Sequence, residues 1–331
     1  MEENLLNTIV ETGWGGDNGI GRYSVEIVAR LRAEYSREFD FVNSSPLSIS
    51  FLFSNLPNNK QYYYTPGYAL PFRQRKKAII TIHDLMHLYF TEYRNLKSVL
   101  YYKFLVKPAV VNAPVVFTVS EYSKKQIVKW SGVKEGKVVV TGNGVDPIFF
   151  NESNNYQHVK PYVLYVGNYK EHKNIYGLLK SFSLSNTCKS HDLLMLGECP
   201  LSVSSLIEEF GLTGKVVFVG RVSDLELATM YKGASVTLLL SYYEGFGLPI
   251  IESMACGTNV ITSNVTSMPE IAGGRAYLCD PNSYSEISAM LDDIALNGIG
   301  YSSIELKNHA KKYTWDNVFQ RVYSTLKGIG I

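Results

Sequence analysis

The stretch SVTLLLSYYEGFGLPIIESMACG, residues 235–257, reads as a strand, a loop and a helix in succession. SVTLLLS is a short apolar run of the kind that fills a strand buried on both faces. Pro249 suits the first turn of a helix, where its missing N–H costs nothing. Between them Gly245, Phe246, Gly247 and Leu248 form a loop whose two glycines leave backbone N–H groups uncovered. Those amides and the positive end of the helix dipole favour an anion, most naturally a diphosphate. Glu244 stands before the loop and Glu252 in what reads as the first turn of the helix. Carboxylates beside an anion are unfavourable unless they accept hydrogen bonds from hydroxyls at either end of it. A sugar nucleotide offers sugar hydroxyls at one end and a ribose diol at the other, so Glu244 is assigned to the first and Glu252 to the second.

The same unit recurs along the chain. Strands are expected over 6–11, 38–43, 78–83, 114–119 and 137–142, with RYSVEIVARLRAEY (22–35) the clearest helix among them. NESNNYQHVK (151–160) is polar, lacks periodicity and reads as a linker. Beyond it, strands over 161–167, 192–197, 215–220, 235–241, 259–264 and 275–280 alternate with helices over 174–184, 201–210, 223–233 and from 249. Apolar strands separated by helices indicate parallel sheets covered on both faces. The expected fold class is therefore α/β: two Rossmann-like doubly wound domains, residues 1–150 and 161–312, joined by 151–160. The final helix, 313–331, carries Val318, Val322 and Leu326 on one face and is expected to pack back on the first domain. A chain of 331 residues suits two such cores better than one. Two such sheets facing each other would gather the carboxyl ends of their strands around one crevice, where ligands bind.

Composition narrows the function. With 46% apolar residues, 19% charged residues and a net charge of +2, nothing global points to nucleic acid. The acidic start MEENLLNTIV has no signal-peptide pattern, and no apolar run is long enough to span a bilayer. Cys188, Cys199, Cys256 and Cys279 match neither a metal-site spacing nor a disulfide framework. The expectation is a cytoplasmic protein with reduced thiols. Residues 60–110 depart from the average, with nine Lys or Arg against Asp84 and Glu92, interleaved with tyrosines and phenylalanines. That mixture suits an anionic membrane surface or a lipid-phosphate acceptor, and equally a solvated face over aromatic packing.

EGFGLPIIESMACG together with SMPEIAGG (267–274) strongly resembles the E-x7-E signature of family 4 retaining glycosyltransferases of the GT-B fold. YVGNYKEHKNIYGLLKSF (165–182) resembles that family's turn and Lys-Asn helix start, where a basic pair grips the donor diphosphate. Lys173 fills the second basic position; the first, usually Arg, is Asn168, so one charge is missing or supplied elsewhere. GGDNGIGRYSVEIV (15–28) resembles the family's glycine loop, which implies that Gly19 and Gly21 approach the donor phosphates. TIHDLMHLYF (81–90) resembles the strand-end His-Asp element, which implies His83 beside the donor sugar. By this resemblance the catalytic residues are His83, Glu244 and Lys173. The donor site adds Gly19, Gly21, Asn168, Gly245, Phe246, Gly247, Leu248 and Glu252.

The resemblance implies transfer of a hexose with retention, without a bound metal or other cofactor. GNYKEHKN is similar to the segment in bacterial polysaccharide mannosyltransferases, which suggests GDP-mannose as donor, with UDP-sugars open. A glycan or polyprenyl-linked acceptor follows, with peripheral contact at the inner face of the membrane through 60–110. Two other readings compete. A non-catalytic GT-B protein or scaffold would account for Asn168. A dehydrogenase could use the first strand–helix unit and Asp40, but GDNGIG lacks the GxGxxG order.

Overall fold

The computed structural model describes residues 8–16, 19–36, 39–43, 45–46, 48–54, 62–90, 94, 96–151 and 154–329. It divides into two compact units, one formed by residues up to Gly144 and from Trp315 onward, the other by Val145–Thr314.

The first unit is a six-stranded parallel sheet of β1 (Thr8–Glu11), β2 (Phe39–Val42), β3 (Tyr62–Thr65), β4 (Ala78–Thr81), β5 (Val116–Thr118) and β6 (Val138–Val140), in the order β2-β1-β3-β4-β5-β6. Successive residues enter opposite cores. Val10, Tyr64, Ile79 and Phe117 pack with the Gly19–Tyr35 helix and the C-terminal Trp315–Gly328 helix. Ile9, Tyr63, Ile80 and Val116 pack with Tyr102, Leu105, Val106, Ala109 and Val110 on the other face. The C-terminal helix buries Val318, Val322 and Leu326, and Trp315 closes on Gly144, where any Cβ would strike its indole.

β3 changes the reading of the basic aromatic segment. Tyr63 and Tyr64 are fully buried in the sheet interior rather than on a surface. Tyrosine is a favourable strand residue, and a parallel strand covered on both faces shows no alternation by which to recognise it. Lys60, Glu92 and Tyr93 of that segment lie outside the described residues.

The second unit is also a six-stranded parallel sheet: β7 (Tyr162–Tyr165), β8 (Asp192–Met195), β9 (Val216–Phe218), β10 (Val236–Leu239), β11 (Val260–Ser263) and β12 (Tyr277–Cys279). Its order β12-β11-β10-β7-β8-β9 is the 3-2-1-4-5-6 arrangement of doubly wound nucleotide-binding sheets. The division falls earlier than residue 150 because Phe149 is buried against Tyr231 and its carbonyl accepts from Cys256 Sγ at 3.3 Å. The described part of 151–160 is also strapped to this unit. Tyr156 N–H donates to the Thr229 carbonyl at 3.0 Å, and Asp192 accepts from His158 and Lys160, each at 2.9 Å.

Candidate active site

In the second sheet the chain reverses its winding between β7 and β10, which are hydrogen-bonded neighbours. Such a switch point leaves a crevice beyond the carboxyl ends of the two strands. The loop after β7 carries Asn168 and Lys173; the loop after β10 carries Glu244 and the Gly-Phe-Gly-Leu-Pro segment.

Both loops are tightly specified. After β7, the Tyr165 hydroxyl donates to the Asn168 carbonyl at 2.5 Å, and a Cβ at Gly167 would sit 2.7 Å from that hydroxyl. Burial and the nearby Glu244 carboxylate push the Tyr165 pKa well up, so the hydroxyl stays a donor. Asn168 Oδ1 accepts Lys170 N–H at 3.2 Å, which turns the chain toward the short helical turn Glu171–Lys173. Asn174 follows in the left-handed region, φ 53°, and caps the Ile175–Leu184 helix by accepting Gly177 N–H at 3.0 Å. This is the physical content of the Lys-Asn pair: Asn174 starts the helix and leaves Lys173 at the crevice.

Lys173 Nζ donates to Glu244 Oε1 at 2.6 Å, and Ser241 Oγ donates to the same oxygen at 2.7 Å. The two charged side chains are only 11% and 13% exposed. Pairing is what makes burial of both charges tolerable. Lys173 keeps further N–H groups for an anion while one holds Glu244. The backbone around Glu244 is fixed by residues that sequence reasoning passed over: its N–H donates to Thr266 Oγ1 at 3.2 Å, and buried Ser267 Oγ reaches the carbonyls of Glu244 and Phe246 at 2.9 and 3.0 Å. Ser267 opens the SMPEIAGG segment, where nothing in the spacing marks its hydroxyl as bonding back to the loop after β10.

Gly247 adopts φ 97°, a conformation suited to glycine, and begins the Leu248–Ala255 helix, whose start no side chain caps. Phe246 is buried against Tyr313, with ring centroids 5.8 Å apart, while Gly245 is buried and Leu248 half-buried. Because the helix begins at Leu248, Glu252 lies in its second turn and not its first. It is buried, and its Oε2 accepts from the Tyr231 hydroxyl at 3.0 Å. The structure therefore brings Lys173 and Glu244 into contact, and holds Glu252 one helical turn deeper.

His83 follows β4 in the first unit and is buried. Its ring meets Tyr23 edge-on at 4.9 Å, and Nε2 lies 3.1 Å from the Pro66 carbonyl. A carbonyl only accepts, so Nε2 carries the hydrogen and Nδ1 keeps its lone pair. Burial lowers the pKa to about 4, with the Pro66 bond acting weakly the other way, so the ring is neutral near pH 7. Gly19 opens the Gly19–Tyr35 helix; Gly21 is buried in its first turn, where any Cβ would meet the carbonyls of Gly15 and Gly16. Gly21 thus serves close packing of its own loop.

A family model described as "Glycosyl transferases group 1" matches residues 148–314, half of the chain, and one described as "Glycosyltransferase Family 4" matches residues 61–149. The chain belongs to the group 1 glycosyltransferases. Among curated relatives, this glycosyltransferase is 27% identical to "O-antigen chain mannosyltransferase B" of Escherichia coli, over 93% of this chain and 96% of that one. It is 28% identical to "O-antigen chain mannosyltransferase RfbU" of Salmonella typhimurium, over 80% and 72%. Among solved structures it resembles Anabaena Alr3699/HepE in complex with UDP-glucose, with TM-score 0.74, 14% identity, and 97% and 99% of the two chains covered. That likeness shows the GT-B fold. Among the described residues, no helix of this glycosyltransferase is long and apolar enough to cross a membrane.

Proposed function

We propose that this glycosyltransferase moves mannose from GDP-mannose to a hydroxyl of a glycan or polyprenyl-linked acceptor in surface-polysaccharide synthesis, with retention and without a metal. The observation that carries the reading is the Lys173–Glu244 contact at the switch point of the second sheet. It sets a cation for a diphosphate beside a carboxylate that can accept from sugar hydroxyls. Mannose and an O-antigen-type glycan chain are drawn from the names of the two relatives. The UDP-glucose complex of the structural neighbour supports a second reading, in which the donor carries uridine.

In the proposed step the bond from the anomeric carbon to the diphosphate oxygen breaks, and a bond to the acceptor oxygen forms on the same face. The acceptor proton passes to the leaving phosphate. Lys173 and the uncapped helix start at Gly247–Leu248 take up charge on the leaving group, in place of a metal. Glu244 Oε1 already accepts from Lys173 and Ser241, which suits it to orient the sugar rather than attack it. Lys170, set on the exposed rim by Asn168, is assigned the charge that Arg would supply at 168. The neutral His83 offers Nδ1 as acceptor to a substrate hydroxyl. Glu252 is assigned to the ribose diol.

Calorimetry with GDP and UDP in the presence of EDTA tests the donor site. One nucleotide should bind, and Glu252→Gln, which retains an acceptor for Tyr231, should weaken it at least tenfold, by about 1.4 kcal/mol. GDP-mannose turnover with EDTA present should then give the α-linked product. If neither nucleotide binds, the scaffold reading replaces this one.

A further inference from the structure

The segment 96–112 is helical throughout, as Leu96–Tyr101, a π-turn Tyr102–Val106 and Lys107–Asn112. One side is spoken for: Tyr102, Leu105, Val106, Ala109 and Val110 are buried against the first sheet. The other side is not polar. Leu96, Leu100 and Phe104 recur every four residues and are 73%, 43% and 58% exposed, and Val111, seven residues on, is 49% exposed. Residues four and seven apart share a helix face, so these form a single apolar stripe pointing away from the core.

The charge beside the stripe has one sign. Lys97 and Lys103 are exposed next to it, Arg94 precedes it, and no Asp or Glu occurs from Leu96 to Asn112. Lys103 Nζ lies over the Phe104 ring, 5.3 Å from its centroid, which sets a cation directly on the edge of the stripe. A face turned only to water usually carries both signs interspersed. An apolar stripe whose own helix carries cations and no acid matches a surface that is apolar within and anionic at its edge.

We infer that the exposed face of helix 96–112 docks on the anionic surface of a lipid bilayer, with Leu96, Leu100 and Phe104 entering the headgroup region and Lys97 and Lys103 contacting lipid phosphates. This narrows the basic aromatic segment 60–110 to one helix, since Tyr63 and Tyr64 lie inside the sheet. The contact is separate from the donor site and does not depend on which nucleotide that site takes.

The test is flotation of the full chain with vesicles of phosphatidylcholine alone or mixed with phosphatidylglycerol. Binding should require phosphatidylglycerol and weaken with salt. Each lysine near an anionic surface contributes about fivefold in affinity, so Lys97→Gln/Lys103→Gln should lose about 25-fold. Leu96→Ser/Leu100→Ser/Phe104→Ser should abolish flotation. Both variants alter exposed side chains, and unchanged nucleotide binding and circular dichroism would show that they fold. Failure of the wild type to float with anionic vesicles, or flotation of both variants like the wild type, would overturn the inference. So would a wild-type dimer in sedimentation velocity that the serine variant dissolves, because the stripe would then be covered by a second copy.

Discussion

His83 shows how burial sets a proton. Its folded pKa, about 4, lies below the ordinary imidazole value of 6.5, so the unfolded chain binds the proton more readily. Its contribution to stability is therefore complete above pH 6.5 and is lost as the pH falls toward 4. By linkage, the loss at pH 5 relative to pH 7 is on the order of 2 kcal/mol. His83→Gln should shrink the fall in urea midpoint between pH 7 and pH 5 by that amount; an equal fall in both proteins would mean that the ring is not desolvated as described. At this scale the sequence was partly legible. Lys173 and Glu244 could be named because they fall at matching positions of the motifs the chain resembles, but that they touch each other was not legible. Glu252 could be named but not placed, because its depth depends on a helix that starts at Leu248 rather than at Pro249. Thr266 and Ser267 could not be found, since hydroxyls that bond to backbone groups of a distant loop leave no spacing signal, and Ser241, three residues before the carboxylate it serves, reads as an ordinary strand-end serine.

Among the elements, the loops after β7 and β10 are joined at two points, the Lys173–Glu244 pair and Tyr242 N–H donating to the His172 carbonyl at 2.8 Å. Removing one charge of the pair strands the other in a nearly closed site. Lys173→Met should cost about 3 kcal/mol, and Lys173→Met/Glu244→Leu should recover most of it, since two apolar residues leave no unpaired charge. Neither variant should transfer sugar. Urea unfolding beside a transfer assay separates the effects; full stability in Lys173→Met would show that the pair opens to water. All six strands of the second unit were legible, because apolar runs and helical stretches alternate cleanly there, but the helices Met268–Ala272, Tyr284–Ala295 and Ser303–Ala310 beyond β11 were not. In the first unit β3 and the helical segment 96–112 were not: YYYT has the same kind of residue on both faces and so shows no alternation, and 96–112 carries apolar residues on its exposed as well as its buried side.

Over the whole molecule, the chain returns at Trp315 to the unit in which it began. The returning helix fills the same core as Tyr23, Ile27, Leu31 and Phe117, so the first sheet's covering is completed by residues that follow the whole of the second unit. The sequence makes this dependence measurable. Its three tryptophans, Trp14, Trp130 and Trp315, all belong to the first unit, whereas Lys173, Glu244 and Glu252, to which the nucleotide sugar is assigned, belong to the second. Tryptophan fluorescence therefore follows one core and nucleotide binding reports on the other. Val322 is fully buried, and Val322→Ala leaves a cavity costing about 2 kcal/mol. The fluorescence transition should shift to lower urea by that free energy divided by its m-value, while the urea concentration at which nucleotide binding is lost should stay where it is. If both shifted together, the two cores would unfold as one cooperative block, and the C-terminal helix would stabilise the donor site as well as the sheet it covers.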